Sequence, residues 1–162
     1  MPSRFEHRAS FPVPAGAVYA TLVDEEFLTA RLNDIGGKGA ALLSHTTSDD
    51  GAAYTLRQGV DAANLPGPVA SIVGGDLVVE REERWRGRDS AGRATITGVP
   101  AQITSRSRLS DRGGASELVV TAEVKVSIPL IGGRIEKVVA EQVTRLLAAE
   151  AEYAGKWLAE RA

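Results

Sequence analysis

The chain has 162 residues, the size of one domain and enough for a substantial core. Its formal charge of −2 and isoelectric point near 5.7 leave no electrostatic footprint for nucleic acid, and the lack of cysteine excludes disulfides and thiolate metal sites. No apolar run approaches the roughly 20 residues that cross a bilayer, and the stretch from Met1 to His7 lacks the apolar centre of a signal peptide; the expectation is a single cytoplasmic domain over 1–162.

Phe5, His7, Ala9 and Phe11 alternate with Arg4, Glu6, Arg8 and Ser10, which is the period of a strand with one face inward. Pro12 and Pro14 end it, and His7 shares its face with two phenylalanines. Two short helices follow, at about 15–23 and about 25–33. Asp24 can cap the second, whose apolar set is Phe27, Leu28, Leu32 and Ile35, and Gly36-Gly37 stops it. Strands then dominate. The first two are expected at 41–47 and 54–60, with Gly51 in the turn between them. The segment 65–73 holds Leu65, Val69, Ile72 and Val73 between Pro66, Pro68 and Gly74-Gly75. It is too broken for a regular strand and too apolar for open water, so a short lid over the open end of the sheet is expected there, either a mobile gate hinged at the flanking glycines or a rigid connector that closes the core.

In the next strand, 76–85, Leu77, Val79, Arg81, Glu83 and Trp85 share the more apolar face. Arg81 and Glu83 are thereby carried inward, two apart on one pleat. Strands at 93–99 and 103–110 lead to a long alternating strand at 118–128. Its inner row is Leu118, Val120, Ala122, Val124, Val126 and Ile128. Gly132-Gly133 permits a sharp turn into a helix over 134–160, about 40 Å long. Ile135, Val139, Val143, Leu146, Ala154 and Trp157 form its apolar stripe, opposite Lys137, Glu141, Arg145, Glu152 and Lys156. Glu150 falls inside that stripe, beside Tyr153 and Trp157. A carboxylate there needs a partner, because burying it alone costs several kcal/mol.

This order, one strand, two short helices, six strands and a long C-terminal helix, describes an α+β fold. Its strands are joined by short turns into a curved antiparallel sheet of about seven that grips the helix. Here the chain resembles the START-like, helix-grip superfamily (SRPBCC), which holds lipid-transfer domains, aromatase/cyclases and pollen-allergen-like carriers. It is most similar to a small uncharacterised bacterial family within it. The resemblance is carried by Arg4-Phe5-Glu6-His7, by Val73-Gly74-Gly75-Asp76-Leu77-Val78-Val79-Glu80-Arg81, by Val124 through Glu136, and by Ala140-Glu141-Gln142-Val143. It covers essentially the whole chain. The fold it implies has a hollow between sheet and helix, and it places the first strand beneath the helix, where His7 could meet Glu150.

Several other patterns carry no chemistry. Gly37-Lys38-Gly39 follows a helix rather than a strand and has Leu42 where a dinucleotide loop needs its third glycine. The arginines at 84, 86, 88 and 93 are interleaved with acids and lack an aromatic platform for RNA. His7 and His45 have no metal-ligand spacing, and no serine sits in a nucleophile elbow. No cofactor is implied.

The leading expectation is an apolar cavity that sequesters a hydrophobic small molecule such as a lipid, isoprenoid or polyketide-like compound. His7, Tyr54, Arg81, Glu83, Trp85, Glu150, Tyr153 and Trp157 are its candidate ligand-binding residues. Such a carrier has no membrane-spanning segment but allows transient contact with a membrane surface. Two rivals stand beside it. One is a cyclase or dehydratase using His7 and Glu150 as general acid and base; the other is an interaction module with a filled core. The sequence does not fix the oligomeric state.

Overall fold

The computed structural model describes residues 2–162 except 62, 64, 66, 68, 69, 72 and 73. In chain order its elements are β1 (Ser3–Phe11), α1 (Ala15–Leu22), α2 (Glu25–Ile35), β2 (Ala41–Thr47), β3 (Gly51–Val60), β4 (Leu77–Arg86), β5 (Asp89–Ile96), β6 (Val99–Arg112), β7 (Ala115–Val126) and α3 (Gly132–Glu160). The strands form one seven-stranded sheet in the order β1-β7-β6-β5-β4-β3-β2, antiparallel at every pairing. Six of its strands make a meander. The first crosses to the far edge and pairs with the last, Ser3 opposite Val124 and Phe11 opposite Ser116.

The helical expectations follow local chemistry. Asp24 caps α2, its carboxylate accepting from the Phe27 amide at 3.1 Å, and Gly36 closes the other end. The end of α2 can lie against β3 because both sides are glycine there: the Gly59 amide donates to the Gly36 carbonyl at 2.9 Å. Any Cβ on Gly37 would stand 2.0 Å from the Gly59 carbonyl oxygen, and Gly37 has φ +83°. At the start of α3 the Glu136 carboxylate is buried and accepts from the Val126 amide at 2.9 Å, tying the first turns of the helix to the end of β7.

The meander keeps the expected strands but moves their ends: Gly51, expected in a turn, is the first residue of β3 and pairs with Arg86, and the last strand runs over Ala115–Val126 rather than 118–128. The strands expected at 93–99 and 103–110 are β5 at Asp89–Ile96 and β6 at Val99–Arg112, so the turn lies at Thr97-Gly98, with Gly98 at φ 78°. Asp89, Ser90, Ala91 and Gly92 have the composition of a loop, yet they are paired strand. Gly92 is there for close packing, since a Cβ on it would come within 2.6 Å of the Ser105 hydroxyl. The lid expected at 65–73 falls largely outside the described residues; Leu65, which is described, packs against the core. Among the described residues no helix is long and apolar enough to cross a membrane.

Two apolar clusters hold the layers together. One gathers α1, α2 and the C-terminal half of α3 around Phe11, Val18, Phe27, Leu28, Leu56 and Trp85. The other joins the opposite end of the sheet to the first turns of α3 through Leu77, Ile96, Val124, Val126, Ile135 and Val139.

Candidate functional site

The two clusters do not meet in the middle. Between them, under α3, lies a cavity of about 430 Å³. Its origin is legible in residue size. Ala9 on β1, Gly92 and Ala94 on β5, Ser105 on β6 and Ala122 on β7 all line it, so the inner face of the central strands carries small side chains where the helix stands off. Larger apolar groups, among them Leu77, Ile96, Ile135 and Val139, close one end.

The other end is polar. Glu150, in the middle of α3, is only 6% exposed. Its Oε2 accepts from Arg81 Nη1 at 2.8 Å and from Gln58 Nε2 at 3.4 Å, and stands 3.7 Å from Arg31 Nη2. Arg81 also donates through Nε to Glu83 Oε1 at 2.6 Å. The second oxygen of Glu83 accepts from the Tyr54 hydroxyl at 2.5 Å, and that hydroxyl in turn accepts from Trp85 Nε1 at 3.2 Å. Five strand and helix positions are thus linked from the indole to the helix carboxylate. All of these side chains border the cavity.

Electrostatics fix the protonation of this array. Burial by itself would raise the Glu150 pKa, but Arg31 and Arg81, with the hydrogen bonds from Arg81 and Gln58, outweigh it and hold the carboxyl at about 2. Burial likewise disfavours charge on Arg81, and Glu150 and Glu83 reverse that effect, holding it more firmly protonated than usual. The Tyr54 phenol is pushed well above its ordinary value, first by burial and then by the Glu83 carboxylate beside it. The phenol is therefore a donor and the Glu150 carboxylate an acceptor.

Of the residues singled out from sequence, His7, Tyr54, Arg81, Glu83, Trp85 and Glu150 border the cavity. Tyr153 and Trp157 do not. Trp157 packs edge-on against Phe27 with ring centres 5.3 Å apart, and the Tyr153 hydroxyl donates to Asp34 at 2.6 Å, so both belong to the seam between α3 and α2. The expected His7–Glu150 pair is also absent: β1 lies under the helix, but Glu150 is taken by Arg81, Gln58 and Arg31. Sequence reasoning missed Arg31 and Gln58. The signal was present for both. Arg31 is three and four residues beyond Leu28 and Phe27 on the apolar face of α2, and Gln58 shares an inward row with Tyr54 and Leu56.

Comparison with known proteins places this geometry in context. A family model described as a protein of unknown function (DUF2505) matches residues 6–158. An uncharacterized protein of Mycobacterium tuberculosis is 27% identical over 170 residues, covering 98% of each chain. Among solved structures, the ZhuI aromatase/cyclase of a Streptomyces species superposes with a TM-score of 0.70 at 14% identity, over 99% of this chain and 96% of that one. A START superfamily protein from Mycobacterium smegmatis gives 0.59 at 12% identity, over 98% and 99%. At these identities the likeness is one of fold: a START-like helix grip.

Proposed function

The chain belongs to the DUF2505 family and has the START-like fold, and from that premise we propose that it binds a hydrophobic small molecule in the hollow between sheet and α3, as a cytoplasmic carrier. The observation that carries this reading is the cavity itself, about 430 Å³ with apolar walls and one polar end. Ligand sites are built this way: apolar area leaves water at roughly 25 cal/mol per Å², and a few placed polar groups set orientation. A protein interior is otherwise packed to crystal density, so a hollow of this size is not what a filled interaction module would keep.

The enzymatic rival rests on His7 and Glu150 exchanging a proton. A carboxyl pinned by two guanidiniums and held at about 2 stays ionised near neutral pH, which suits an electrostatic anchor better than a general acid or base. The carrier is the reading this geometry supports best. Fold alone does not decide it, since one scaffold hosts many activities.

The test is native mass spectrometry of the protein purified from its own host. A lipid-sized adduct that is lost on unfolding is expected. Protein free of adduct, together with no saturable binding across a panel of lipids and aromatics, would refute the carrier reading.

A further inference from the structure

The polar end of the cavity is incomplete. Arg31 is 4% exposed, yet its Nε and Nη2 have no hydrogen-bond partner. These two nitrogens form one edge of the guanidinium, the edge that usually engages an oxygen acceptor side-on. Its Nη2 stands 3.7 Å from Glu150 Oε2, too far for a hydrogen bond. An oxygen atom placed about 2.8 Å from both groups would complete the contact, and because neither Arg31 nitrogen has accessible surface the side chain must shift slightly to admit it. Glu150 is asymmetric in the same sense. Arg81, Gln58 and Arg31 all approach Oε2, and no described residue donates to Oε1. Buried donors without acceptors are uncommon in folded proteins and costly to leave unmade.

Charge narrows what can fill the gap. The inner groups are two guanidiniums, Arg31 and Arg81, and two carboxylates, Glu83 and Glu150, so the wall is neutral as a whole. The other arginines bordering the cavity, Arg93 and Arg145, are exposed. A ligand carboxylate would add an unbalanced negative charge beside two existing ones, and an amine would unbalance the wall the other way. A hydroxyl does neither. It can accept from Arg31 and donate to Glu150 with the same oxygen.

Resting on the reading that the cavity takes a ligand, we infer that this ligand is a neutral, mostly apolar molecule bearing a hydroxyl, a phenol or alcohol, whose oxygen bridges Arg31 and Glu150. Arg81, Gln58 and Glu83 act as positioning residues that hold Glu150 in place for it.

Three probes of nearly equal size separate the possibilities: naphthalene, 2-naphthol and 2-naphthoate, each measured by displacement of the neutral fluorophore N-phenyl-1-naphthylamine from the full chain at pH 7. The wild-type protein should bind 2-naphthol at least tenfold more tightly than either of the other two. Glu150→Gln leaves the wall with one net positive charge and should turn the preference over to 2-naphthoate. Arg31→Met should cost the 2-naphthol preference while leaving naphthalene within about twofold. The wild-type comparison decides the question even if a variant fails to fold. Equal affinities for all three probes, or a wild-type preference for 2-naphthoate, would overturn the hydroxyl assignment while leaving cavity binding intact. Failure of all three probes and of the fluorophore would overturn the carrier reading as well.

Discussion

Glu150 concentrates the electrostatics of the site in one carboxylate. Its folded-state pKa, about 2, lies below the ordinary 4.5, so the group contributes stability that is complete above about pH 5. That contribution, about 3 kcal/mol, is lost as the pH falls through 4.5 towards 2. Chemical denaturation at a series of pH values should show the loss in the wild-type protein and a flatter profile in Glu150→Gln. Removing the carboxyl altogether leaves Arg31 and Arg81 buried without their shared counter-ion, so Glu150→Ala should cost about 3–5 kcal/mol in urea unfolding at pH 7. A change within ±0.5 kcal/mol, roughly what a surface position gives, would contradict the burial described here. The burial of Glu150 was legible in the sequence because helical phase is a local property. Its partners were not. Whether His7 or Arg81 reaches that carboxylate depends on how far the sheet curls and on the length of the side chains that project across the hollow, and neither is encoded near residue 150.

At the level of elements, α2 is the part on which the site depends most indirectly. It carries Arg31 to the cavity and is held by a cap at one end and a glycine crossing at the other. Asp24→Ala should cost about 1 kcal/mol by urea unfolding, the ordinary worth of an N-cap. Gly59→Ala is expected to be worse, because its Cβ would meet the Lys38 carbonyl oxygen at 2.2 Å and backbone would have to move; about 1–3 kcal/mol is the usual cost of such overpacking. A stability unchanged in Gly59→Ala would show that α2 does not sit tightly on β3. Most element types were read correctly from period alone: two-residue alternation for the strands, the apolar stripe for α3, Asp24 and Gly36 for the ends of α2. The β5–β6 boundary was displaced because small polar residues signal a turn in isolation, whereas in 89–92 Asp89 and Ala91 face outward on a paired strand and Ser90 and Gly92 border the hollow. The same row of small inward residues announces the hollow, a signal that only acquires meaning once strand order brings Ala9, Gly92, Ser105 and Ala122 onto one surface.

For the whole molecule the question is whether the space under α3 is used. Ala122 is 3% exposed and borders the cavity from β7. In Ala122→Phe the added ring should occupy the hollow, so displacement assays should show at least a tenfold loss of probe affinity with the melting temperature unchanged or raised. A destabilisation above about 3 kcal/mol would instead mean that the wall has no room to spare. Saturating ligand should raise the melting temperature of the wild-type protein and leave Ala122→Phe unmoved, since stabilisation by mass action requires binding to the native state. The pairing of β1 with β7 has a separate consequence for how the protein is made. Ser3 waits for Val124, which leaves the ribosome more than a hundred residues later, on the order of ten seconds at typical rates of synthesis. During that interval Phe5, Ala9 and Phe11 lack the β7 residues they pair with, so the first strand cannot nucleate the sheet. The hollow comes into being only when α3 closes over the finished sheet, so nascent chains arrested before β7 should be degraded by protease at every stage and protection should arrive in a single late step.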